Sequence, residues 1–346
     1  MLENKIKGCI FGLAIGDAVG LRYENVKPKN INKKNIGKVC FGGSISDDTE
    51  HMVIISKSIL HTNNVNDFKK DFQKELKKWL LSFPVNIGKT TLKSIFKSFI
   101  SNENGVAGTG NGSVMRIAAI GLLFHDNPDK LREYSEASCR LTHNSDESVV
   151  NSIAIASLVS YVISNDINKN KKPNQKNILL HLRSLSQEDF WIETLNELEE
   201  ALNSNIEPVD LVYKWTKGKG AVGYTKYSTL LSIYCWLKYY GDYEKTIKEI
   251  IACGGDTDTN AAICGSLAGV SLGFDAIDSS YVQKVNDFII NKKTLNNLSL
   301  SILNKTDDIK TWKIHYLSFP KNLFSLFYFT FLLTKVSIFS LFGIKH

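Results

Sequence analysis

The spacing of apolar residues along the chain predicts helices over most of its length. In a representative stretch, Phe72, Leu76 and Trp79 follow one another at steps of four and three, the spacing of one face of an α-helix. Similar stretches cover residues 52–60, 149–163, 191–202, 229–239 and 261–272. No convincing run alternates between apolar and polar residues, as a half-buried strand would. The pattern therefore predicts an all-α fold.

The amino-terminal segment combines two lysines with an apolar run, as a secretion signal does. Lys5 and Lys7 precede the run at 8–16, but Asp17 follows directly, and no clear cleavage site of small residues comes at the expected place. We therefore predict that this segment is the buried first helix of the domain.

The carboxy-terminal segment is strongly apolar. Residues 323–344 are rich in Phe and Leu and are long enough to cross a bilayer, yet Lys335 lies well inside them. Two interpretations stay open: a membrane anchor or interfacial helix, and a helix that packs on a partner or on the domain itself. The pattern changes shortly before this segment, so we predict one domain over residues 1–315, with a polar surface loop at 164–177, and a hydrophobic tail over 316–346.

Composition and charge fit an ordinary globular protein that needs no disulfides. Of the 346 residues, 43% are hydrophobic and 22% are charged, which is enough apolar material for a sizeable core. The formal net charge of +7 is modest for this length, and a basic surface alone is typically a solvated face, so we expect no nucleic-acid partner. The six cysteines show no C-x-x-C pair, which favours small buried residues in a reducing compartment such as the cytoplasm.

Two short acidic clusters stand directly before predicted helices, and their aspartates are Asp47, Asp48, Asp256 and Asp258. Taken singly, each cluster is typical of a helix N-cap, where acidic residues complement the helix dipole. One cap, however, needs only one such side chain, and like charges crowded into one turn cost stability unless a cation lies among them. Carboxylate and hydroxyl oxygens are the ligands that Mg²⁺ and Mn²⁺ prefer, so the two clusters predict a two-metal site.

A glycine-rich segment carries glycines at positions 108, 110 and 112. Ser113 would open the next apolar helix, so the amides of the loop could face an anion at a helix N-terminus, with Arg116 near the same ligand. No strand precedes the loop and no Gly-Lys-Ser/Thr follows it, so it is neither a Walker A loop nor a dinucleotide fingerprint. Standing alone, such a segment is more typical of a plain turn.

Taken together, these segments resemble the ADP-ribosylglycohydrolase family. The segments that carry the resemblance are, in chain order, GCIFGLAIGDAVG at 8–20, SDDT at 46–49, GNGSVMR at 110–116, Thr142-His143, and GGDTDT at 254–259. They are similar to the opening helix, the first metal motif, the substrate loop, a Thr-His element and the second metal motif of that family. Their order matches, and together they extend from residue 1 to about residue 300.

The resemblance implies a compact, orthogonal bundle of helices with a dinuclear centre of two Mg²⁺ or Mn²⁺ ions. It implies catalytic roles for Glu24, Asp47 and Asp258. The metal ligands carried over onto this sequence are Ser46, Asp47, Asp48, Asp256, Asp258 and Thr259. The substrate contacts carried over are Gly110, Asn111, Gly112, Ser113, Met115, Arg116, His143, Gly223 and Tyr224.

The sequence departs from the family pattern in four places, one of which is Ala118-Ala119, in a stretch that often carries a proline. Ser46 stands where the family usually has threonine; the hydroxyl is kept, so the metal site is expected to survive. Residues 225–228 are unlike the usual sequence, which weakens the carry-over of Tyr224. The hydrophobic tail is an addition to the core of the family.

The function that the resemblance implies is hydrolysis of the C1″ glycosidic bond of ADP-ribose, which releases ADP-ribose from a mono-ADP-ribosylated target. The motif order is similar to that of the bacterial dinitrogenase-reductase-activating glycohydrolases, which gives a slight preference to ADP-ribosyl-arginine over ADP-ribosyl-serine, O-acetyl-ADP-ribose or a nucleic-acid end. The alternatives are a non-catalytic ADP-ribose-binding protein, which the retained aspartates disfavour, and a helical dinuclear phosphohydrolase, which would show His-Asp clusters. We expect a monomeric cytoplasmic enzyme whose partner is an ADP-ribosylated protein or an ADP-ribose conjugate and whose tail offers a membrane contact.

Overall fold

The computed structural model describes residues 1–40, 42–84, 87–101, 105–320 and 322–323. Within these ranges the backbone pairs outside the helices are isolated bridges and form no sheet, which confirms the predicted all-α class. The α-helices, in chain order, are α1 (Leu2–Gly20), α2 (Asp47–His61), α3 (Val65–Leu80), α4 (Lys89–Ser98), α5 (Ala118–Leu123), α6 (Pro128–Arg140), α7 (Asp146–Ser164), α8 (Gln175–Arg183), α9 (Asp189–Ser204), α10 (Pro208–Thr216), α11 (Thr225–Lys238), α12 (Tyr243–Ile251), α13 (Thr257–Leu272), α14 (Ser279–Val282), α15 (Lys292–Asn304) and α16 (Trp312–Tyr316).

The helices follow the apolar spacing of the sequence. The stretches at 52–60, 149–163 and 261–272 fall within α2, α7 and α13, and most of their apolar side chains belong to one continuous core; Val149 and Ile153 form a smaller cluster with Cys139. The amino-terminal segment is the buried helix α1, as predicted. The domain boundary between residues 315 and 316 stays a prediction, and the tail beyond Leu323 lies outside the described residues.

The centre of the fold is the antiparallel contact between α1 and α13, here called the seam. A Cβ built on Gly16 would lie 2.0 Å from the carbonyl oxygen of Ala261, and a Cβ on Gly12 would lie 2.2 Å from that of Gly265. The two backbones therefore touch directly, at a distance that only glycine allows on α1. Small residues at every fourth position of both helices produce this contact, because such positions share one helix face.

The seam brings both acidic clusters to one place. At its end, the Thr257 hydroxyl donates a hydrogen bond of 2.8 Å to the carbonyl oxygen of Gly20. The start of α13 therefore lies beside the end of α1, and Asp17 on α1 contacts the first turn of α2. Three helix ends that are distant in sequence thus meet at one corner of the molecule.

Helix α7 is a core helix. It is long and apolar enough to cross a bilayer by composition, with a mean hydropathy of 1.4, but 72% of that window is buried inside the fold, against α5, α6, α11 and α13. The loop that joins α7 to α8 falls within the predicted surface segment at 164–177. It is tied to the core by Ile167, which is buried and whose carbonyl oxygen accepts a hydrogen bond from the Lys5 ammonium group.

Candidate active site

A cleft of about 760 Å³ opens where the first turns of α2 and α13 meet the glycine-rich loop before α5. A volume of this size suits a nucleotide-sized molecule. The predicted site residues that line it are Glu24, Asp47, Gly110, Asn111, Gly112, Met115, His143, Gly223, Asp256, Asp258 and Thr259. The predicted residues that do not belong to its lining are Ser46, Asp48, Ser113, Arg116 and Tyr224.

Asp17 holds the first turn of α2 in place. Its carboxylate accepts hydrogen bonds from the Ser46 backbone N–H at 2.9 Å and from Thr49, whose backbone N–H lies at 3.1 Å and whose hydroxyl lies at 2.5 Å. Burial raises the pKa of Asp17 to about 6, although these hydrogen bonds favour the charged form. Asp17 is therefore the anchor of the first acidic cluster, and no motif in the sequence singled it out.

Asp48 is fully buried, and only one of its two carboxylate oxygens is hydrogen-bonded. The Ser46 hydroxyl donates to Oδ2 at 2.8 Å, and the Thr259 hydroxyl donates to the same oxygen at 3.3 Å. Among the described residues, Oδ1 has no partner, although it is shielded from solvent. A buried carboxylate oxygen without a donor is costly, and a bound cation would satisfy it.

The carboxylates of the two clusters repel one another. Burial and the neighbouring carboxylates raise the pKa of Asp47, Asp48 and Asp258 well above the ordinary value for aspartate. Burial is the largest cause of the raised pKa. The next largest cause is the charge of Glu24 for Asp258 and the charge of Asp17 for Asp48. Ionised carboxylates this close together are unfavourable unless a cation lies between them.

Two glycines with a left-handed backbone shape the second cluster. Gly254 and Gly255 have φ angles of 64° and 79°, and a Cβ on Gly255 would lie 2.1 Å from the carbonyl oxygen of Ala221. The next residue, Asp256, donates its backbone N–H to the same carbonyl at 2.7 Å. Its carboxylate then reaches the cleft, where the Asn111 side-chain amide donates to Oδ2 at 2.8 Å. The turn therefore joins the acidic cluster to the glycine-rich loop.

The predicted metal ligands gather at this corner, and their chemistry suits a hard cation. They offer carboxylate and hydroxyl oxygens, with the unpartnered Asp48 Oδ1 among them. Within the part of the chain that the structure describes, no three acidic, histidine or cysteine side chains are already arranged as a metal-binding group. One oxygen of Asp48 accepts a hydrogen bond from the Ser46 hydroxyl, and one oxygen of Asp256 accepts a hydrogen bond from the Asn111 amide. The residues thus fit a divalent cation by donor type and by charge.

The glycine-rich loop packs closely against His143. A Cβ on Gly112 would lie 3.0 Å from His143 Cε1, and a Cβ on Gly110 would lie 3.2 Å from His143 Nε2. Neither glycine has a left-handed φ, so close approach is the reason for glycine at both positions.

The loop does not lead directly into an α-helix. Residues Asn111–Ser113 form a short 3-10 turn, and α5 begins only at Ala118. The prediction that Ser113 opens an α-helix was wrong, because this segment is held by tighter hydrogen bonds from residue i to residue i+3. The Val114 N–H, for example, donates to the carbonyl oxygen of Asn111 at 2.9 Å.

His143 is a buried, neutral wall of the cleft. Burial, with a smaller effect of the Arg116 charge, lowers the pKa of His143 to about 3. Its Nδ1 lies 2.8 Å from the Thr142 hydroxyl, and that hydroxyl accepts a hydrogen bond of 2.7 Å from Arg116. The Thr142 hydroxyl thus joins the neutral imidazole to Arg116, and His143 Nε2 faces the glycine-rich loop that lines the cleft.

Arg116 supports the cleft from behind and does not line it. The side chain is fully buried and donates to the carbonyl oxygens of Gly112 at 3.0 Å and Ser138 at 2.9 Å, in addition to Thr142. Burial lowers its pKa to about 10. In this structure Arg116 is a positioning residue, which fixes the loop and the Thr142-His143 pair relative to each other.

Glu24 lies on the turn after α1 and lines the cleft. This turn is tied to the second acidic cluster, because the Asn25 N–H donates to the carbonyl oxygen of Gly255 at 2.7 Å and the Gly255 N–H donates to that of Val26 at 2.8 Å. The half-buried Glu24 carboxylate is thereby held near Asp258, whose pKa it raises.

Gly223 and Tyr224 have different surroundings although they are neighbours. Gly223 lines the cleft, and a Cβ at this position would lie 2.7 Å from Oδ2 of Asp256. The Tyr224 hydroxyl instead donates to Glu147 Oε1 at 2.5 Å, outside the cleft lining. Gly223 thus leaves space beside Asp256, whereas Tyr224 connects the cleft wall to Glu147 on α7.

The cleft also holds basic and hydroxyl side chains that no motif predicted. The segment 89–91 at the start of α4 contributes Lys89, Thr90 and Thr91, and the turn before Ala221 contributes Lys219. Ammonium and hydroxyl groups suit a phosphate-bearing ligand. Nothing in the local sequence distinguishes these residues from those of a solvated helix face, since only the tertiary fold places them here.

The family and the fold are identified by comparison with known proteins. A family model described as ADP-ribosylglycohydrolase matches residues 1–310. ADP-ribosylhydrolase ARH3 of Gallus gallus is 24% identical, over 85% of this chain and 92% of its own length. ADP-ribosyl-[dinitrogen reductase] glycohydrolase of Rhodospirillum rubrum is 24% identical, over 82% of this chain and 91% of its own length. A solved structure titled ADP-ribosylglycohydrolase-related protein complex superposes with a TM-score of 0.63 at 20% identity, over 88% of this chain and 99% of that one, which shows a shared fold.

Proposed function

The chain belongs to the ADP-ribosylglycohydrolase family and is an ADP-ribosyl glycohydrolase, and from this premise we propose that it uses divalent cations to release ADP-ribose from a mono-ADP-ribosylated target. One observation carries the proposal: the carboxylates of both clusters line the same nucleotide-sized cleft as the loop at 110–112. A glycosidic bond held in this cleft would have its ribose beside the carboxylates and its diphosphate beside the amide and basic groups.

We infer that two Mg²⁺ or Mn²⁺ ions bind at the acidic corner. The proposed ligands are Ser46, Asp47, Asp48, Asp256, Asp258 and Thr259. The mutual repulsion of the carboxylates and the unpartnered Asp48 Oδ1 support this assignment. When bound, such ions would neutralise the cluster and polarise oxygens of the ribose or of a water molecule.

Cleavage of the C1″ bond builds positive charge on the ribose ring, as in other glycoside cleavages. Asp47 and Asp258 line the cleft and would stabilise that charge. Glu24 is the proposed proton carrier, which takes a proton from the attacking water or gives one to the leaving group. Such a role contributes roughly 10²–10⁴-fold to the rate. The position of Glu24 on the cleft wall, near Asp258, supports it.

The other end of the cleft would fix the position of the ADP-ribose group. His143 lies at the wall, and its Nε2 would suit a hydroxyl of the distal ribose, whereas the Asn111 amide donates to Ser228 and Asp256 and fixes the loop beside it. Lys89 and Lys219 line the same cleft and would attract the diphosphate charge.

We propose ADP-ribosyl-arginine as the first linkage to test. The order of the motifs is similar to that of the bacterial dinitrogenase-reductase-activating glycohydrolases, and the Rhodospirillum rubrum protein of that kind matches 82% of this chain. We also propose that the enzyme is a cytoplasmic monomer with an ADP-ribosylated protein as its partner. The six cysteines, which are buried and form no disulfide among the described residues, support a reducing compartment.

The test measures release of free ADP-ribose by the full chain from arginine-linked, serine-linked and O-acetyl substrates and from an ADP-ribosylated nucleic-acid end. Each substrate is assayed with Mg²⁺, with Mn²⁺ and with a chelator. Glu24→Gln should bind ADP-ribose normally and lose roughly 10²–10⁴-fold in turnover. The matched control is Glu193→Gln, since Glu193 is exposed on α9 and does not line the cleft.

The outcomes separate the parts of the proposal. Cation-dependent release that is lost in Glu24→Gln and kept in Glu193→Gln supports both the metal site and the role of Glu24. Equal turnover of both variants would remove Glu24 from the mechanism, and release that persists in chelator would contradict the metals. Turnover of the serine or nucleic-acid substrate alone would reassign the linkage. Binding of ADP-ribose without turnover of any substrate would favour a binding protein.

A further inference from the structure

A second large cleft, of about 1140 Å³, lies along the outer side of α3 and is lined mainly by lysines. Its lining is Asn66, Lys69, Lys70, Gln73, Lys74, Lys77, Lys78, Leu81, Lys97, Leu141 and Asn144. The cleft contains none of the residues that line the candidate active site. We call the surface formed by these lysines and the apolar residues described below the lysine face.

The helix pattern of α3 explains the concentration of charge. Phe68, Phe72, Leu76 and Trp79 occupy the inner side and are buried, so the lysines between them point outwards. Of these, Lys78 pairs with the buried Glu75 at 2.7 Å. Among the described residues, no carboxylate pairs with Lys69, Lys70, Lys74 or Lys77. The lysines outnumber the three acidic residues of α3, so the lysine face carries an excess of positive charge.

Large apolar side chains surround the charged cleft. Leu81 and Phe83, after α3, are 66% and 69% exposed, and Ile100, after α4, is 89% exposed. Phe96 and Phe99 are also exposed and share one side of the α4 end with Ile100. Exposed apolar clusters of this kind are uncommon on a monomeric surface and indicate an interaction site.

The charged and apolar parts form one surface. The Lys77 ammonium lies 5.4 Å from the ring centre of Phe99, and Leu81 lines the lysine cleft itself. The ring of Phe83 lies 5.7 Å from that of Phe319, and the Asn322 side-chain amide donates to the carbonyl oxygen of Ser82 at 2.9 Å. Phe319 and Asn322, which directly precede the apolar tail in the sequence, therefore lie at the edge of the lysine face.

We propose that the lysine face binds an anionic lipid bilayer. Lysine ammonium groups would contact lipid phosphates and carboxylates, while Leu81, Phe83 and Ile100 would enter the boundary between headgroups and acyl chains. Leu81 and Ile100 cannot stack on bases, whereas the acyl boundary of a bilayer accepts them together with the three exposed phenylalanines, so the mixture favours a bilayer over single-stranded nucleic acid. The sequence at 323–344 favours a bilayer as well, since it is largely apolar and begins beside Ser82.

The test measures partition of the full chain onto phosphatidylcholine vesicles with and without phosphatidylserine, at low and high salt. Lys70→Glu/Lys74→Glu/Lys77→Glu should lose about 100-fold or more of the phosphatidylserine-dependent binding, since each lysine contributes about fivefold. The matched control, Lys169→Glu/Lys172→Glu/Lys176→Glu, changes the charge equally on three exposed lysines in and before the first turn of α8, none of which lines the lysine cleft, and should keep this binding. The tail is identical in all variants, so the difference between them reports the lysine face.

A second variant tests the apolar part. Phe83→Ser/Ile100→Ser should weaken binding to both kinds of vesicle about tenfold or more, with little dependence on salt. Helical circular dichroism and thermal unfolding verify that each variant is folded. Equal loss in both triple-lysine variants, or no loss in either, would overturn the proposal. Binding of a single-stranded RNA oligonucleotide that needs Lys70, Lys74 and Lys77, with no effect of these lysines on vesicles, would overturn it in favour of nucleic acid.

Discussion

The seam between α1 and α13 and the lysine face on α3 are both built from helices, but they use side-chain size in opposite ways. At the seam, Gly12 and Gly16 bring the backbones of α1 and α13 into contact. On the lysine face, Lys74 and Lys77 carry long side chains away from the helix, above an inner row of aromatic and aliphatic residues. The seam forms because glycine has no side chain, and the lysine face forms because lysine has a long one.

This difference bears on how each region supports function. The acidic corner needs fixed geometry, because Asp17 and Asp258 must stay close in spite of their repulsion, and direct backbone contact prevents the helices from moving apart. The lysine face needs charge and flexibility, and exposed lysines keep both. Substitutions should therefore destabilise the fold at the seam and leave it intact on the lysine face.

The largest effect is expected for Gly16→Ala. The new Cβ would lie 2.0 Å from the carbonyl oxygen of Ala261, so α1 and α13 would have to separate, and the free energy of unfolding should fall by more than about 3 kcal/mol. Gly88→Ala is the matched control, because its Cβ would meet only Thr91 Oγ1, at 3.8 Å. Urea denaturation measures both variants. If they unfold at the same urea concentration, the seam is not the rigid element described here.

The next largest effect is expected in the dependence of stability on pH and on divalent cations. In the absence of divalent cations, stability should fall as pH rises from about 4 to about 6. The pKa of Asp17 is about 6 in the fold against an ordinary value of 3.8, so the unfolded chain binds fewer protons in this window. Mg²⁺ or Mn²⁺ should restore the melting temperature near neutral pH and have less effect near pH 4. Thermal unfolding across this pH range measures it.

Asp48→Asn is the control for the cation effect, because it removes one charge and one cation ligand from the corner. Its melting temperature should depend less on both pH and added cation. The electrostatic account of the acidic corner would be contradicted if the melting temperature of the unchanged chain rose with pH through this window. It would also be contradicted if added cations did not change that temperature.

The smallest effect is expected for Lys74→Ala on the lysine face. The side chain is exposed and has no ion-pair partner among the described residues, so the free energy of unfolding should change by less than about 0.5 kcal/mol. Lys169→Ala, another exposed lysine, should behave alike in the same urea experiment. A loss above about 1 kcal/mol at Lys74 alone would mean that this lysine packs as part of the core.

Much of the fold and of the acidic corner could be predicted because their signals are local. Apolar spacing marks the helices in the sequence, and pairs of aspartates before small or apolar stretches mark the two acidic clusters. The glycines of α1 recur at every fourth position as well, but the contact that they make with α13 was not predicted. Such signals depend only on neighbours in the chain, so no knowledge of the packing was needed.

The remaining features depend on contacts between distant segments. Asp17 was overlooked because its role lies in hydrogen bonds to Ser46 and Thr49, on another helix. Arg116 was expected near the ligand, but its partners fix it behind the cleft wall. Lys219 joins the cleft only through the turn at Gly254 and Gly255, and its own surroundings in the sequence are unremarkable.

The bond between Gly20 and Thr257 joins residues that are 237 positions apart, and this has a consequence for synthesis. At about 5–20 residues per second, a ribosome needs about 10–50 s to extend the chain from one to the other. During that time the apolar, glycine-lined surface of α1 has no partner and is a target for chaperones. The two acidic clusters are also apart during that time, so the candidate site can form only once α13 has been synthesised and α1 is covered.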